Sequence, residues 1–232
     1  IQGSSTRVFD RGMRLDAPLI DVAGSSKVNL QASTVSLGQT LGERQLLSTG
    51  DVPVWLVAGG TASPVLETRA GSGELRVEAG AVDLFGSITV NGTSRTRIES
   101  DSDIRLVGRA VTFNSDTGGQ QTSRQIGGLT SAGNLELVAA QVVPATRTEF
   151  SFAVKDQPTG IDTPDGYIQV ASNGQPASTP YSAGGKISFS AETITQAGTV
   201  RAPLGSIEMK ASRLLEFAPD SLTSVSGDGV TV

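Results

Sequence analysis

Residues 75–84 read LRVEAGAVDL, a ten-residue pattern that recurs along the chain. The first and third residues are apolar and define a copy. Further copies are MRLDAPLIDV (13–22), VNLQASTVSL (28–37), IRLVGRAVTF (104–113), LELVAAQVVP (135–144), ISFSAETITQ (187–196) and IEMKASRLLE (207–216). The fifth residue is Ala or Gly and the eighth is Ile, Val or Leu in every copy. Neither position was used to define the copies, so this agreement is independent support for a repeat.

The alternation within each copy is typical of a strand, in which successive side chains point to opposite faces. We expect positions one, three and five to point inward, and the small fifth residue to precede a corner. Residues 86–90 and 198–200 supply a third short strand. The sequence therefore predicts an all-β fold, a right-handed parallel β-helix (β-solenoid). One continuous inward column is expected to contain Leu75, Val77, Leu106, Leu137, Phe189 and Met209, with Glu136 on the outer face.

Two long gaps interrupt the repeat, at about residues 39–70 and 145–185. The first holds Trp55, the only tryptophan, in an apolar run. Two interpretations stand: a degenerate coil with Trp55 inside, or a surface platform for a ligand. In the second gap, residues 149–154 and 167–170 alternate on either side of a turn-rich segment. This arrangement predicts a β-hairpin projecting from the solenoid.

Composition excludes several classes of function. The chain has 232 residues, a net charge of −5 and a pI near 4.8, which argues against a nucleic-acid partner. It has no Cys and no His, which excludes thiolate metal sites, disulfides and His-dependent triads. No apolar run approaches the ~18 residues of a membrane helix, so we expect no membrane insertion.

Both chain ends favour a fragment of a longer protein. The sequence begins at Ile1 without an initiator Met or a signal segment. Residues 225–232 alternate like a strand entering another coil, so the solenoid is expected to continue beyond Val232. We treat residues 1–232 as a single β-helix segment with insertions at about 39–70 and 145–185. The absence of Cys suits export, since an early disulfide would hinder threading through an outer-membrane pore.

Candidate binding residues lie in the two gaps. Asp156, Asp162 and Asp165 lie within ten residues and allow either Ca²⁺ binding or ordinary turn chemistry, although their spacing fits neither an EF-hand loop nor the GGxGxDxUx nonapeptide. We predict no catalytic residue, no metal and no cofactor. The candidates for ligand contact are Trp55, Asp162, Asp165 and Tyr167.

A polysaccharide-cleaving or polysaccharide-binding β-helix is the alternative function. Cleavage would require paired carboxylates on one outer face. The outward second and fourth positions of the copies show no adjacent acidic pair, so we expect no enzyme.

The Ala-x-x-Val cores and the link Gly-Ser-Ile-Thr-Val-Asn-Gly at 86–92 resemble the repeats of the filamentous haemagglutinin family. These are large bacterial exoproteins exported by two-partner secretion. The resemblance implies a secreted or cell-surface location and a structural rod that presents loops, as in an adhesin or the stick of a contact-dependent toxin. It implies two partners: an outer-membrane transporter during export, and a receptor or glycan on a host or neighbouring cell. It assigns no site residue.

Overall fold

The computed structural model describes residues 3–39, 44–48, 53–57, 68–114, 121–155 and 166–227, and these residues form strands, turns and loops. In chain order the first ten strands are β1 (Ser5–Asp16), β2 (Leu19–Asp21), β3 (Lys27–Gly38), β4 (Arg44–Ser48), β5 (Pro53–Val57), β6 (Gly73–Phe85), β7 (Ser87–Asn91), β8 (Thr93–Ser100), β9 (Asp103–Val107) and β10 (Arg109–Asn114). The others are β11 (Gln121–Ser131), β12 (Asn134–Ala139), β13 (Gln141–Pro144), β14 (Thr148–Val154), β15 (Tyr167–Ser172), β16 (Lys186–Ala197), β17 (Thr199–Arg201), β18 (Ser206–Phe217) and β19 (Leu222–Ser224).

Pairing links these strands into one sheet, which is parallel except for the pairs β4–β5 and β10–β11. The prediction of an all-β, mainly parallel structure is therefore confirmed. Within the described ranges no helix is long and apolar enough to cross a membrane.

The parallel strands form three stacks, A, B and C, which the chain visits in that order. Stack A contains the first halves of β1, β3 and β6, then β8, β12, β15 and the second halves of β16 and β18. Stack B contains the second halves of β1, β3 and β6, then β9, β13, β17 and β19. Stack C contains β2, β7, the end of β11, β14 and the first halves of β16 and β18. We call one passage through the stacks a layer.

An uninterrupted layer takes 21 residues, because Leu75 pairs with Thr96 and Ile194 pairs with Leu215. The ten-residue pattern marks a corner within a layer. The copy at Leu75 turns from stack A to stack B, whereas the copy at Ile187 turns from stack C to stack A. Spacings between copies therefore do not measure coils.

The expected single inward column is wrong for the same reason. Its members lie in three stacks: Leu75, Val77 and Leu137 in A, Leu106 in B, and Phe189 and Met209 in C. All three stacks nevertheless contribute inward side chains to one hydrophobic core, against which Met209 packs from a partly buried position. Burial of this apolar surface is the main stabilising term available to the fold.

The second predicted insertion contains core strands. β14 pairs with β11 and β16 in stack C, and β15 pairs with β12 and β16 in stack A, so the two do not form the predicted hairpin. Phe150 and Phe152 of β14 are almost completely buried. The Phe152 ring lies 5.1 Å from Phe150 and 5.1 Å from Phe189, centroid to centroid. Alternation predicted strands here correctly, but it could not say which strands they pair with.

The first gap contains an antiparallel pair. β4 and β5 pair through Leu46 and Trp55, and β4 also pairs with β10 through Leu46 and Phe113. Stack C continues without this antiparallel pair, because β2 pairs directly with β7. The Trp55 side chain lies outside the described features, so both interpretations of it stay open.

Replacing Ala139 by Leu should lower the free energy of unfolding by about 1–3 kcal/mol through overpacking. Ala139 is 2% exposed and pairs with Ser172 at a corner. Urea unfolding followed by circular dichroism measures the change. The matched control is Ala153→Leu on the partly exposed outer side of β14, which should shift stability by less than about 0.5 kcal/mol. Equal losses at the two sites would contradict the inward assignment of Ala139.

Candidate functional site

The four candidate residues are not brought together by the described structure. Trp55 belongs to β5, and Asp162 and Asp165, like Asp156, lie outside the described residues. Tyr167 begins β15, where its backbone N–H donates to Asn134 Oδ1 at 3.0 Å. Its hydroxyl donates to Glu136 Oε1 at 2.7 Å. Tyr167 therefore belongs to a polar cluster on the outer face of stack A that the sequence analysis did not predict.

Glu136 is the centre of this cluster. It points outward from β12, as expected, but is only 3% exposed. Arg95 and Arg97 of β8 both donate to its Oε2, at 2.6 and 2.9 Å, while Tyr167 of the next layer covers Oε1. Glu136 therefore lies on the outer face, as predicted, but it does not reach solvent, because long side chains from the two adjacent layers fold over the carboxylate and bury it.

Ion pairs extend the cluster towards the first layers. Arg97 also contacts Glu99 at 3.1 Å, and Glu99 contacts Arg76 of β6 at 3.2 Å. Arg76 in turn pairs with Glu78 at 2.5 Å. Asn29 and Gln31 of β3 donate to Glu78 Oε2. This set of residues, the stack A network, links β3, β6, β8, β12 and β15, which are five successive layers.

The surroundings lower the pKa values of Glu136 and Glu78 and raise that of Tyr167. Burial alone would raise the pKa of Glu136, but hydrogen bonds from Arg95, Tyr167 and Arg97, together with the charge of Arg95, lower it. For Glu78, burial is likewise outweighed by hydrogen bonds from Gln31 and Asn29 and by nearby arginines, so its pKa is lowered. Burial and the bond to Glu136 raise the pKa of Tyr167.

These shifts suit a structural role. A general acid at neutral pH needs a carboxyl group whose pKa is raised, whereas that of Glu136 is lowered. Both carboxylate oxygens already accept hydrogen bonds from protein donors. The arrangement holds a charge in place and ties layers together.

The ten-residue pattern does not reveal this network, because the layer that contains β8 does not follow the pattern. β8 places Thr96 at the first inward position, where the pattern demands an apolar residue. Thr96 is fully buried, and its hydroxyl lies 3.3 Å from that of Thr93 and 3.2 Å from that of Ser131. A polar residue with buried hydroxyl partners breaks the hydrophobic pattern without breaking the strand.

Neither the described side chains nor the comparisons with known proteins assign a metal or a family to this chain. Where side chains are described, no group of three or more Asp, Glu, His or Cys is placed to hold a metal ion. No protein-family model matches the chain, and comparisons with curated proteins and with solved structures find no match either.

Replacing Glu136 by Leu should lower the free energy of unfolding by about 1–3 kcal/mol, because the hydroxyl of Tyr167 and the Nη1 of the partly buried Arg97 lose their acceptor. The matched control is Glu192→Leu, which removes an exposed ion pair with Arg213 and should cost less than about 1 kcal/mol. Both are measured by urea unfolding at pH 7. A loss no larger at Glu136 than at Glu192 would contradict a structural role for the network.

The Glu136 contribution should also depend on pH. Because folding lowers its pKa, the contribution is present above the unfolded-state value of about 4.3 and is lost as pH falls through the folded value. The stability difference between the wild type and Glu136→Gln should therefore be constant from pH 7 to about 5 and shrink below about pH 4. Urea titrations of both proteins across this range measure it. A difference that stays constant down to pH 2.5 would contradict the assignment.

Proposed function

We propose that the chain is a right-handed parallel β-solenoid. Three observations support this fold: the fixed order in which the chain visits stacks A, B and C, the 21-residue layer, and one core shared by the three stacks. Parallel connections within a sheet are right-handed in nearly all proteins. We infer the right-handed winding from that rule.

The solenoid serves as a rigid segment of a rod. The observation that carries this proposal is the continuity of pairing, in which inward residues of one layer stack on inward residues of the next from β1 to β18. The register shifts at Phe9/Gly12, Gly73/Glu74 and Ala191/Thr193 leave inward residues paired on both sides. The stack A network adds charged cross-links over five of these layers. A body whose layers are joined by backbone hydrogen bonds, core packing and ion pairs resists bending and holds its ends at a fixed distance.

The parent protein is a large secreted or cell-surface bacterial exoprotein resembling the filamentous haemagglutinins. The support is the style of the repeat and a sequence without Cys, which suits passage through an outer-membrane transporter. The rod presents its excursions to a receptor or glycan on another cell and performs no catalysis itself. The alternative of polysaccharide binding is favoured by a groove on the outer face of stack B.

Duplicating one layer should lengthen the protein by a fixed step. Residues 75–95 form an uninterrupted layer, since Leu75 and Thr96 are paired neighbours. Three tandem copies inserted after residue 95 should add about 15 Å to the maximum dimension, at about 5 Å per strand spacing. Small-angle X-ray scattering measures this dimension. The control carries a Gly/Ser segment of equal length at the same junction and should gain no ordered length. An equal profile from the two proteins would contradict the rod.

Surface exposure tests the proposed location separately. Antibodies raised against the purified chain should label intact cells of the organism that makes it, because an exported rod is accessible from outside. Immunofluorescence before and after permeabilisation measures this. An antibody to a cytoplasmic protein is the control and should label permeabilised cells alone. Labelling by the chain antibody that also requires permeabilisation would contradict export while leaving the fold proposal intact.

A further inference from the structure

The outer face of stack B carries a groove of about 870 Å³ whose lining includes residues 178–182. These residues belong to the loop 173–185, which we call the roof segment. Its floor spans four layers, because Ser36 pairs with Asp83, Asp83 with Arg105, and Arg105 with Val143. Three strand spacings give the floor a length of about 14 Å. The groove is therefore long and crosses the strands, which suits an extended ligand lying along the rod.

The roof segment is held in place by polar contacts. Ser178 Oγ donates to Asp103 Oδ2 at 3.0 Å, and Gln141 Nε2 donates both to that carboxylate and to the Ser178 carbonyl, at 3.0 and 2.9 Å. Asn173 Nδ2 donates to the carbonyls of Ser100 and Asp101 at 2.8 and 2.9 Å. Because the roof is fixed at both Asn173 and Ser178, the groove is formed before any ligand arrives.

Two side chains of the roof segment are placed to contact a ligand. Ser182 lines the groove and is 6% exposed, and its Oγ has no hydrogen-bond partner among the described residues. Leaving a buried hydroxyl without a partner costs free energy. Because this oxygen is shielded from solvent, a ligand hydroxyl would recover that free energy after the Ser182 side chain rotates into the groove. Tyr181, also in the lining, is 89% exposed and presents its ring to an incoming molecule.

The floor adds a polar group of fixed geometry. Arg105 donates to both oxygens of Asp83, Nε to Oδ1 at 2.8 Å and a terminal nitrogen to Oδ2 at 2.7 Å. Both side chains stay partly exposed, so each keeps hydrogen-bonding capacity for another molecule. Hydroxyl, carboxylate and guanidinium groups beside an exposed ring are the groups that recognise a sugar, which offers hydroxyls and an apolar ring face.

We propose that this groove binds a linear, uncharged oligosaccharide. A peptide fits less well, because the floor is a sheet face whose backbone groups are already paired, and it offers no free edge for strand addition. An acidic glycan fits less well, because the charged residues of the described lining are Asp83, Asp103 and Arg105, with a net charge of −1. The proposal goes beyond the rod function and does not require it.

The test is a glycan array of neutral and acidic oligosaccharides, followed by titration calorimetry with the best neutral ligand. Tyr181→Ala should weaken binding about tenfold by removing ring stacking. The matched control is Phe217→Ala, which removes another exposed ring, 55% exposed and outside the groove lining, and should leave binding unchanged. Loss of binding in both variants would overturn the proposal.

Ser182→Ala separates binding from folding. Removing a buried hydroxyl that has no partner should leave the free energy of unfolding unchanged or raise it, yet binding should weaken several-fold. A variant with unchanged affinity would overturn the proposal. Retention of no neutral glycan, or preference for a peptide, would also overturn it. Stronger retention of acidic glycans would do the same and would point to the adjoining 350 Å³ depression, whose lining includes Arg14.

Discussion

Parallel backbone pairing in a fixed register is the constraint on which the rest of this structure depends. Successive side chains of a strand point to opposite faces, so a slip of one residue between layers would move every inward side chain outward. Register explains why like residues meet along the stacks, with Ala191 beside Ala211 at a corner and Phe152 beside Phe189 in the core. It also explains why Glu136 lies next to Arg97: both occupy outward positions of paired strands.

The stacks continue past segments that leave the layers. In stack C, β2 pairs with β7 although β4 and β5 intervene in the sequence. In stack B, β13 pairs with β17 through Val142 and Val200 although the roof segment intervenes. Because each stack bridges the gap with ordinary parallel pairing, an excursion can vary without breaking the core. The surfaces best suited to binding, such as the groove under the roof segment, are therefore carried by segments on which the core does not depend.

Buried polar groups in this protein differ in the hydrogen-bond partners that they have. Buried hydroxyls such as that of Thr96 lie within reach of their neighbours inside the core and disguise a layer in the sequence. The hydroxyl of Ser182 has no such partner and lies at a groove. Glu136 lies between these extremes, since it points outward yet is covered by arginines from one adjacent layer and by Tyr167 from the other. Position within a strand does not by itself say whether a polar group is exposed.

The sequence by itself determined that the fold is all-β, because the alternation of apolar residues reflects the two-residue period of a strand. It also determined that residues such as Leu75 and Phe189 point inward. Only the tertiary structure decided which strands are neighbours. The ten-residue pattern occurs both at corners that leave stack A and at corners that leave stack C, so it cannot distinguish the two stacks. For the same reason the sequence alone did not reveal the stack A network or the pairing of β14 and β15 within the core. Contacts between layers join residues 20 or more positions apart, and their partners depend on the length of every excursion between them.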